Sequence, residues 1–328
     1  MIVTRTPFRV TLGGGGTDLP SYYEKYGGFI FSAGIDKYMY VNVNRPTSDD
    51  LIRIKYSESE TVSCLDEVQH QVAREVLRFT GVDKNIEVSS ISDIPSGTGL
   101  GSSSCYAVGL LQALHTLKRE QVPHHTLAEE DFNIEANLLK RPIGKQDPYL
   151  AAVGGLTVLD IAKDGAVTVR RAKVPYDIAD ELNQNLLMFF TGHTRSADDI
   201  LGEQSSAVKE EKKEVVESMH HIKELGHGIL DAVEKGNLDE VGRKFHEHWQ
   251  YKKKISTKMT KPEFDLLYDM ALKHGALGGK ISGAGGGGFL TFYVPHNHRA
   301  FREEMKRLGL REMRYRFDFE GSKVIADF

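Results

Sequence analysis

The pattern of apolar and polar positions alternates between the two-residue period of strands and the longer period of helices. Strand-like runs dominate the first 90 residues, where apolar positions either alternate or form short continuous stretches. The run from 28 to 45 is interpreted as two strands with a turn near Gly34 to Lys37. The predicted strands cover residues 2–12, 28–34, 37–45, 51–56, 86–91, 154–160, 166–172, 185–191, 277–282, 288–294, 310–318 and 321–326.

Helical spacing dominates from residue 196 to residue 274. Leu238, Val241, Phe245 and Trp249 recur three or four positions apart, which predicts one buried stripe on a helix. Strands and helices therefore occur in a mixed order, which favours the α/β (α+β) class. The predicted helices cover residues 66–79, 103–119, 126–140, 147–152, 196–218, 219–235, 238–255, 263–274 and 298–308.

A change from strand-rich to helix-rich sequence near residues 180–185 predicts a domain boundary. The predicted domains are residues 1–182 and residues 183–328. A chain of 328 residues is long enough to build two domains and a sizeable core. No internal repeat interrupts this division.

Composition excludes several classes of partner. The net charge of −4 gives no electrostatic basis for binding nucleic acid or an anionic membrane. No apolar run approaches the length of a membrane span, and the first residues lack the apolar core of a signal peptide. The two cysteines, Cys64 and Cys105, indicate a reducing compartment without a disulfide framework. We therefore expect a cytoplasmic protein that binds a small molecule; its oligomeric state does not follow from the sequence.

Glycine is the unusual feature of the composition, because many of the 32 glycines fall in three clusters. The first cluster, residues 13–16, is followed by Thr17 and Asp18, the second lies within residues 97–101, and the third is residues 283–288. Each cluster follows a strand-like run. One such cluster would be an ordinary turn, but three in one chain indicate that the backbone approaches a ligand closely.

The second cluster has the chemistry of a polyphosphate site. Gly97, Gly99 and Gly101 stand at alternate positions, so no side chain separates this backbone from a ligand. Serines follow at residues 102–104, where a helix is predicted to begin. Free amides and hydroxyls at a helix N-terminus favour negative charge, which predicts binding of ATP.

Two familiar phosphate motifs do not fit their context. The segment from Gly275 to Lys280 is one residue short of a P-loop, and an isoleucine follows its lysine. Gly283, Gly285 and Gly288 match the dinucleotide fingerprint literally, but a strand-like run follows them instead of the required helix. The sequence therefore predicts neither fold.

Glu135 and Asp147 are the candidate carboxylates for phosphoryl transfer. Such a site needs one carboxylate for magnesium and a second to orient or deprotonate the attacking hydroxyl. Glu135 lies on a predicted helix, and Asp147 precedes Pro148 where a helix begins. Lys145 is positioned in sequence to neutralise the transferring group. Alone, a solvated helix face and an N-cap would explain the two acids equally well.

In this order and spacing, the three clusters resemble the three motifs of the GHMP kinase superfamily. The resemblance covers essentially the whole chain. The motifs are residues 6–12 with 15–18, residues 95–104, and residues 280–288. Finer features resemble one branch, the D-glycero-D-manno-heptose 7-phosphate kinases; these are residues 14–18, 144–147, 191–197 and 275–280.

The resemblance implies roles for individual residues. The second motif would wrap the phosphates of ATP, with Ser102 or Ser103 and the carboxylate of Glu135 reaching Mg²⁺. Asp147 matches the catalytic aspartate, and Arg9 matches a cation near the acceptor hydroxyl. The implied ATP-binding residues are Pro95, Gly97, Thr98, Gly99, Leu100, Gly101, Ser102, Ser103 and Ser104.

The acceptor side is also implied by resemblance. Glycines stand at residues 14–16 where galactokinases carry Gly-Glu-His, which argues against galactose as the acceptor. A sugar phosphate would need buried cations; Lys145, Arg195, Lys252 and Lys253 are the candidates. Arg195 is favoured because a helix is predicted after it, whereas Lys252 and Lys253 fit a solvated helix face. The implied acceptor-binding residues are Gly15, Gly16, Thr17, Asp18, Arg195 and Gly285.

The resemblance implies a two-domain fold, with a ribosomal-protein-S5-like N-terminal domain and a ferredoxin-like C-terminal domain. The implied reaction phosphorylates the anomeric hydroxyl of heptose 7-phosphate to give the 1,7-bisphosphate. Two alternatives stay open at this point. One is a kinase for an unphosphorylated sugar such as fucose or mannose, and the other is an inactive ATP-binding regulator.

Overall fold

Two β-sheets packed with helices make up the computed structural model, which describes residues 1–194 and 197–328. The larger sheet contains β1 (Ile2–Gly13), β2 (Gly28–Asn44), β3 (Ile52–Lys55), β4 (Ser59–Val62), β5 (Ile86–Ser92), β6 (Leu156–Ile161), β7 (Val167–Arg171) and β12 (Lys323–Asp327). The smaller sheet contains β8 (Leu186–Phe190), β9 (Gly278–Ile281), β10 (Phe289–Tyr293) and β11 (Arg311–Glu312).

Helices pack against both sheets, and helices and strands follow one another in the predicted mixed order. They are α1 (Pro20–Tyr26), α2 (Gln71–Thr80), α3 (Ser102–Leu117), α4 (His124–Phe132), α5 (Gln146–Val153), α6 (Tyr176–Asn185), α7 (Ala197–Lys209), α8 (Lys213–Glu234), α9 (Leu238–Lys253), α10 (Pro262–Lys273) and α11 (His298–Arg307). A 3₁₀ turn covers Leu65–Glu67, and a π-helical segment, Asn133–Leu138, continues α4. The predicted stripe of Leu238, Val241, Phe245 and Trp249 on α9 is buried, as expected.

The long strand β2 organises the larger sheet. Its first half pairs with β6, its second half pairs with β5, and β1 pairs along nearly its whole length. The prediction of two strands with a turn near Gly34 to Lys37 was therefore wrong. The register with β1 shifts between Pro7 and Phe8, so this segment forms a bulge that bends the strand without reversing it.

Other differences from the sequence prediction have local causes. The break predicted between residues 218 and 219 lies instead between α7 and α8, where Glu211 adopts a left-handed φ of 54°. The strand predicted at 310–318 shrinks to β11 and one isolated bridge, because most of this segment has no neighbouring strand to pair with. The periodicity also missed three short elements, α1, β4 and α6.

The two halves of the chain share apolar contacts. Ile229 and Val233 of α8 and Phe245 of α9 belong to the same buried cluster as the strands of the larger sheet. The last strand, β12, returns to the larger sheet and pairs with β1. The division at residues 182 and 183 stays a prediction, but the structure assigns the final strand to the first sheet. Across the described residues, no helix is both long and apolar enough to span a membrane.

Candidate active site

A cavity of about 1050 Å³ lies where the three glycine clusters meet. Gly15 and Gly16 of the first cluster line it, as do residues of the second cluster between Gly97 and Gly101. The segment 281–284 closes another side, together with side chains of α9. The volume is large enough for a drug-sized or larger ligand, so the sequence clusters converge on one binding site.

The backbone of the second cluster faces this cavity at the start of α3. Gly97, Gly99 and Gly101 have φ values of 74°, 79° and 86°, which favour glycine. Gly101 is the N-cap of α3, and no side chain caps the first amides of this 16-residue helix. Uncapped amides at a helix N-terminus form a site for an anion.

The predicted ATP-binding residues divide into those that line the cavity and those that support it. Thr98, Leu100 and Ser104 are buried and do not line it. The Thr98 hydroxyl donates to the carbonyl of Pro95 at 3.0 Å, and the Ser104 hydroxyl donates to Glu135. The lining residues are Pro95, Gly97, Gly99, Gly101, Ser102 and Ser103, with Ser96 between them.

Arg9 and Asp147 form the central ion pair of the site. Nε and Nη2 of Arg9 lie 2.7 Å and 2.5 Å from Oδ1 of Asp147, and Nη1 donates to the carbonyl of Gly99 at 2.7 Å. Gln146 Nε2 also lies 3.4 Å from Oδ1. Within the described chain, Oδ2 accepts no hydrogen bond, and a Cβ built at Gly101 would lie 3.6 Å from it. One carboxylate oxygen is thus left available beside the start of α3.

Glu135 forms a second polar centre at the same helix start. Its two oxygens accept hydrogen bonds from Ser103 Oγ at 2.5 Å and Ser104 Oγ at 3.0 Å, and Arg141 Nη1 lies 3.2 Å away. Burial raises the pKa of Glu135, while the serine hydroxyls and Arg141 act in the opposite direction. The pKa of Asp131, one turn earlier, is raised well above its ordinary value by burial and by Glu135. The pKa values of both buried carboxyl groups beside the start of α3 are therefore raised.

Comparison with known proteins identifies the family of this chain. The family description of the GHMP kinases N terminal domain matches residues 66–155, and that of the GHMP kinases C terminal domain matches residues 229–309. A D-glycero-alpha-D-manno-heptose 7-phosphate kinase of Campylobacter jejuni is 31% identical over 304 residues, which is 89% of each protein. The chain belongs to the GHMP kinase family. It is a phosphotransferase of the sugar kinase type with the mixed two-domain fold of that family.

Other proteins similar to this GHMP kinase have different activities in their names. An L-fucokinase/L-fucose-1-P guanylyltransferase of Bacteroides fragilis is 26% identical over 91% of this chain, which spans 35% of that longer protein. Among solved structures, a D-glycero-D-manno-heptose 1-phosphate kinase from Bacteroides thetaiotaomicron superposes with a TM-score of 0.82 at 25% identity, covering 100% of both chains. A Lactococcus lactis galactokinase shares the fold, with a TM-score of 0.77 at 19% identity.

Lys145 does not reach the cavity of the GHMP kinase. Its amine lies 2.7 Å and 2.5 Å from the two carboxylate oxygens of Glu129 and sits 4.2 Å from the centre of the Phe132 ring. Tyr149 donates to the same Glu129 at 2.5 Å. The side chain therefore fastens α5 to α4, and its position does not support the predicted neutralisation of the transferring group.

The predicted acceptor residues also fall into two groups. Gly15, Gly16 and Asp18 line the cavity. Asp18 accepts hydrogen bonds from the amides of Gly16 at 3.1 Å and Gln146 at 2.9 Å, and burial raises its pKa. Thr17 is fully buried, and its hydroxyl lies 2.8 Å from the carbonyl oxygens of residues 14 and 29, which gives it a structural role in the turn.

Gly285 is not among the described residues that line the cavity. Gly285 packs against Met259, because a Cβ at this position would lie 2.2 Å from the Met259 sulfur. Arg195 lies outside the described residues. Their predicted acceptor contacts stay predictions.

The structure adds lining residues that the sequence reasoning missed. His248 and Lys280 line the cavity, and neither was predicted as a site residue. Lys252, one of the predicted candidates for a sugar phosphate, also lines it, although a solvated helix face was favoured for it. Lys253 follows that expectation, because its amine lies 3.4 Å from Asp265 outside the cavity. The four-residue spacing of His248 and Lys252 places them on one face of α9, and this spacing was the available signal.

Proposed function

We propose that this GHMP kinase transfers the γ-phosphoryl group of ATP to the anomeric hydroxyl of D-glycero-D-manno-heptose 7-phosphate. The product would be the 1,7-bisphosphate. One observation carries the proposal: Asp147 uses Oδ1 for Arg9 and leaves Oδ2 beside the first residues of α3. The similarity to a kinase of this name over 89% of the chain supports the choice of acceptor.

The nucleotide would occupy the end of the cavity formed by α3 and the second glycine cluster. The amides between Gly97 and Ser103 would hold its phosphates, because glycine leaves them exposed and the helix dipole favours negative charge. Tyr56, His70 and Tyr106 line the same cavity. The ring centroid of His70 lies 4.6 Å from that of Tyr56 and 4.7 Å from that of Tyr106. These aromatic faces suit a nucleoside base.

Mg²⁺ fits the oxygen atoms at the start of α3. The Ser103 hydroxyl and the Glu135 carboxylate are hard oxygen donors, which this ion prefers. Among the residues described, no group of three or more acidic, histidine or cysteine side chains could hold a metal ion. A site with one carboxylate that is completed by phosphate oxygens and water is typical of magnesium. When bound, the ion neutralises charge on the phosphates and orients them.

Asp147 and Arg9 would perform the acceptor chemistry. Oδ2 of Asp147 would accept the hydrogen bond of the anomeric hydroxyl and aim its oxygen at the γ-phosphorus. Arg9 fixes the orientation of this carboxylate and also contacts the Gly99 carbonyl, so it stands between the acid and the phosphate loop. A positive group at this point stabilises charge that develops on the transferring phosphoryl group.

Product analysis tests the proposal directly. Purified protein, Mg²⁺ and ATP are incubated with heptose 7-phosphate, mannose or fucose, and ADP release is followed. Phosphorus–proton coupling in the NMR spectrum of the product identifies the phosphorylated carbon. Fast turnover with heptose 7-phosphate and a new phosphate on C1 is expected. A phosphate on another carbon, or ADP release without a phosphorylated sugar, would contradict the proposal.

A kinase for an unphosphorylated sugar is the second candidate. The fucokinase of Bacteroides fragilis matches 91% of this chain, which favours this candidate among the alternatives. In that case fucose or mannose would be the preferred acceptor in the same assay. ATP binding without turnover of any acceptor would instead support an inactive regulator.

The free thiols of Cys64 and Cys105 support a cytoplasmic location for the enzyme.

A further inference from the structure

Three basic side chains of the C-terminal half line the cavity without a role in the proposed phosphoryl transfer. His248 and Lys252 lie one turn apart on α9, and Lys280 lies on the neighbouring strand β9. They are 1%, 8% and 3% exposed, respectively, yet all three line the cavity. Burying several cations together is unfavourable without an anion, so this cluster needs a physical explanation.

The imidazole of His248 gives the clearest sign of a missing ligand. Neither of its ring nitrogens has a hydrogen-bond partner among the described residues. Burial, followed by the charges of Lys280 and Lys252, holds the pKa of His248 well below its ordinary value. Leaving two buried nitrogens unpartnered costs free energy, and a ligand that accepts a hydrogen bond would recover it.

Lys280 has hydrogen-bond donors left for an anion. Lys280 donates to the Leu12 carbonyl at 2.6 Å, and an ammonium group has three donors. Neither Lys280 nor His248 forms an ion pair with a carboxylate anywhere in the described ranges. Lys252 donates to the carbonyls of Ile281 and Gly283, which holds its amine at the third glycine cluster.

The cluster lies on the acceptor side of the catalytic pair. Leu12, which Lys280 contacts, is on β1 together with Arg9. Burial, followed by the charges of Lys252 and Arg9, holds the pKa of Lys280 well below its ordinary value. Arg9 in turn holds Asp147. The basic side chains are therefore next to the group that receives the acceptor hydroxyl, whereas Glu135 marks the nucleotide end.

We propose that His248, Lys252 and Lys280 bind the distal phosphate of the sugar acceptor and thereby select phosphorylated sugars over unphosphorylated ones. This assignment rests on the proposed function. A phosphate dianion offers three acceptor oxygens for the imidazole and the two ammonium groups. A sugar that ends in a hydroxymethyl group offers no anionic oxygen to His248 and Lys280, and a site with unpaired buried polar groups rejects such a ligand.

Three single variants test the assignment by steady-state kinetics. His248→Leu and Lys252→Met remove members of the cluster, and Lys253→Met is the matched control because its amine points to Asp265 instead. Both cluster variants should raise KM for heptose 7-phosphate by roughly 10- to 100-fold, the size expected for a lost charge-assisted hydrogen bond. KM for ATP should stay within about twofold of wild type, and Lys253→Met should behave as wild type.

A thermal denaturation scan separates binding from a structural role. His248→Leu removes two unpartnered nitrogens and keeps an apolar side chain of similar bulk, so its melting temperature should equal or exceed that of wild type. A lower melting temperature together with an equal loss for every acceptor would show that His248 only supports the fold, and would overturn its assignment.

A binding experiment does not depend on turnover. Inorganic phosphate is titrated calorimetrically into protein loaded with Mg²⁺ and a non-hydrolysable ATP analogue, so that the nucleotide loop is already filled. Wild type and Lys253→Met should bind phosphate at least about tenfold more tightly than His248→Leu or Lys252→Met. Arg195→Met is titrated in the same way. Equal binding by wild type and the three other variants would overturn the assignment, as would a loss of phosphate binding confined to Arg195→Met.

The two proposals fail in different ways. If wild type turns over heptose 7-phosphate but the cluster variants have the KM of wild type, the phosphate-site assignment is wrong and the proposed function is unaffected. If wild type does not phosphorylate heptose 7-phosphate while phosphate binding still depends on His248, the proposed acceptor is wrong. The anion site would then bind the phosphate of another acceptor.

Discussion

At the residue scale, the different contacts of the two carboxylate oxygens of Asp147 decide what the site can do. Oδ1 is held by Arg9 and approached by Gln146, so the carboxylate cannot rotate without breaking an ion pair. Oδ2 remains for the acceptor beside Gly101. A carboxylate oriented in this way contributes both position and basicity.

Asp147→Asn should keep the shape of this group while removing its basicity and charge. We expect kcat to fall by roughly 10²- to 10⁴-fold, the usual contribution of general base catalysis, with KM for ATP nearly unchanged. Steady-state kinetics gives the rates, and nucleotide binding by calorimetry serves as the control for an intact loop. Retention of more than about a tenth of the wild-type kcat would show that Asp147 is not needed as a base.

Single residues also show how far the sequence could predict the site. Asp147 and Glu135 could be proposed from residue type and position, and Arg9 from the resemblance of its motif. The structure brings all three close to the start of α3, and their roles stay predictions. The predicted role of Lys145 is not supported by its position, since its side-chain direction is set by Glu129 on a different helix. His248 was missed because its unpartnered imidazole is visible only after α9 has packed against β9.

At the element scale, the π-helical segment after α4 sets the position of the second carboxylate. A π-turn contains more residues than an α-turn and often occurs at functional sites. Here it carries Glu135 to the hydroxyls of Ser103 and Ser104 at the start of α3. The sequence predicted one uniform helix from 126 to 140, because apolar spacing does not distinguish a widened turn from a regular one.

Glu135→Gln should weaken metal binding more than nucleotide binding. The amide keeps the size of the side chain but removes the charge that an ion requires. We expect the Mg²⁺ concentration for half-maximal rate to rise on the order of tenfold or more. The rate is measured over a magnesium titration at fixed ATP, and then over an ATP titration at the highest magnesium. An unchanged magnesium requirement would remove Glu135 from the proposed metal site.

His115 links α3 to α4 through two carboxylates and makes this contact sensitive to pH. Its ring nitrogens lie 2.9 Å from Glu130 and 2.7 Å from Glu120, and these hydrogen bonds, with Glu130 first, raise its pKa above the ordinary value of 6.5. The resulting stabilisation is fully present below the pKa of the unfolded chain and is lost as pH rises through the higher folded pKa.

Urea unfolding of wild type and His115→Gln tests this linkage. The free energy of unfolding should differ more between the two proteins at about pH 6 than at about pH 9. Glutamine keeps a polar side chain of similar length but does not titrate, so it isolates the contribution of the charge. A difference that is constant, or that grows with rising pH, would contradict the charged pairing.

At the scale of the whole molecule, the backbone of one half touches the backbone of the other. A Cβ at Gly283 would lie 2.5 Å from the carbonyl oxygen of Gly99, and a Cβ at Gly288 would lie 2.1 Å from that of Thr98. Lys280 also crosses to Leu12. The phosphate loop is therefore supported from behind by the third glycine cluster, and the site requires both halves.

Gly283→Ala should disturb this contact, and Gly81→Ala provides the matched control. Both glycines have similar positive φ values, 65° and 70°, but only Gly283 has backbone within contact distance of a new Cβ. The shared backbone strain costs about 1–2 kcal/mol in each variant. We expect a further loss of thermal stability and a higher KM for ATP in Gly283→Ala alone. Equal behaviour of the two variants would mean that the clusters do not support each other.

The whole fold was predictable in class but not in the pairing of its chain ends. The three glycine clusters and the mixed order of elements are local features, and they indicated two halves with a shared site. The return of β12 to β1 depends on contact between the two ends of the chain, which no short pattern records. The bulge in β2 was predicted to be a turn for the same reason. The continuous partner strand β1 keeps β2 extended, and the sequence of β2 alone does not show this pairing.

The return of the chain to the first sheet limits the relative motion of the two halves of the enzyme. The chain leaves the first sheet once, forms the second sheet, and returns through a segment that is hydrogen-bonded to β2 and to the end of α5. The backbone carbonyl of Asp318 accepts a hydrogen bond from the amide of Gly155 at 2.7 Å, and its own amide donates to the carbonyl of Gly34 at 2.8 Å. Its carboxylate accepts a hydrogen bond from the Tyr38 hydroxyl at 2.9 Å. A unit tethered at two points cannot swing on a single hinge. We therefore expect nucleotide and product to exchange through local rearrangement at the mouth of the cleft, while the two sheets keep their mutual orientation.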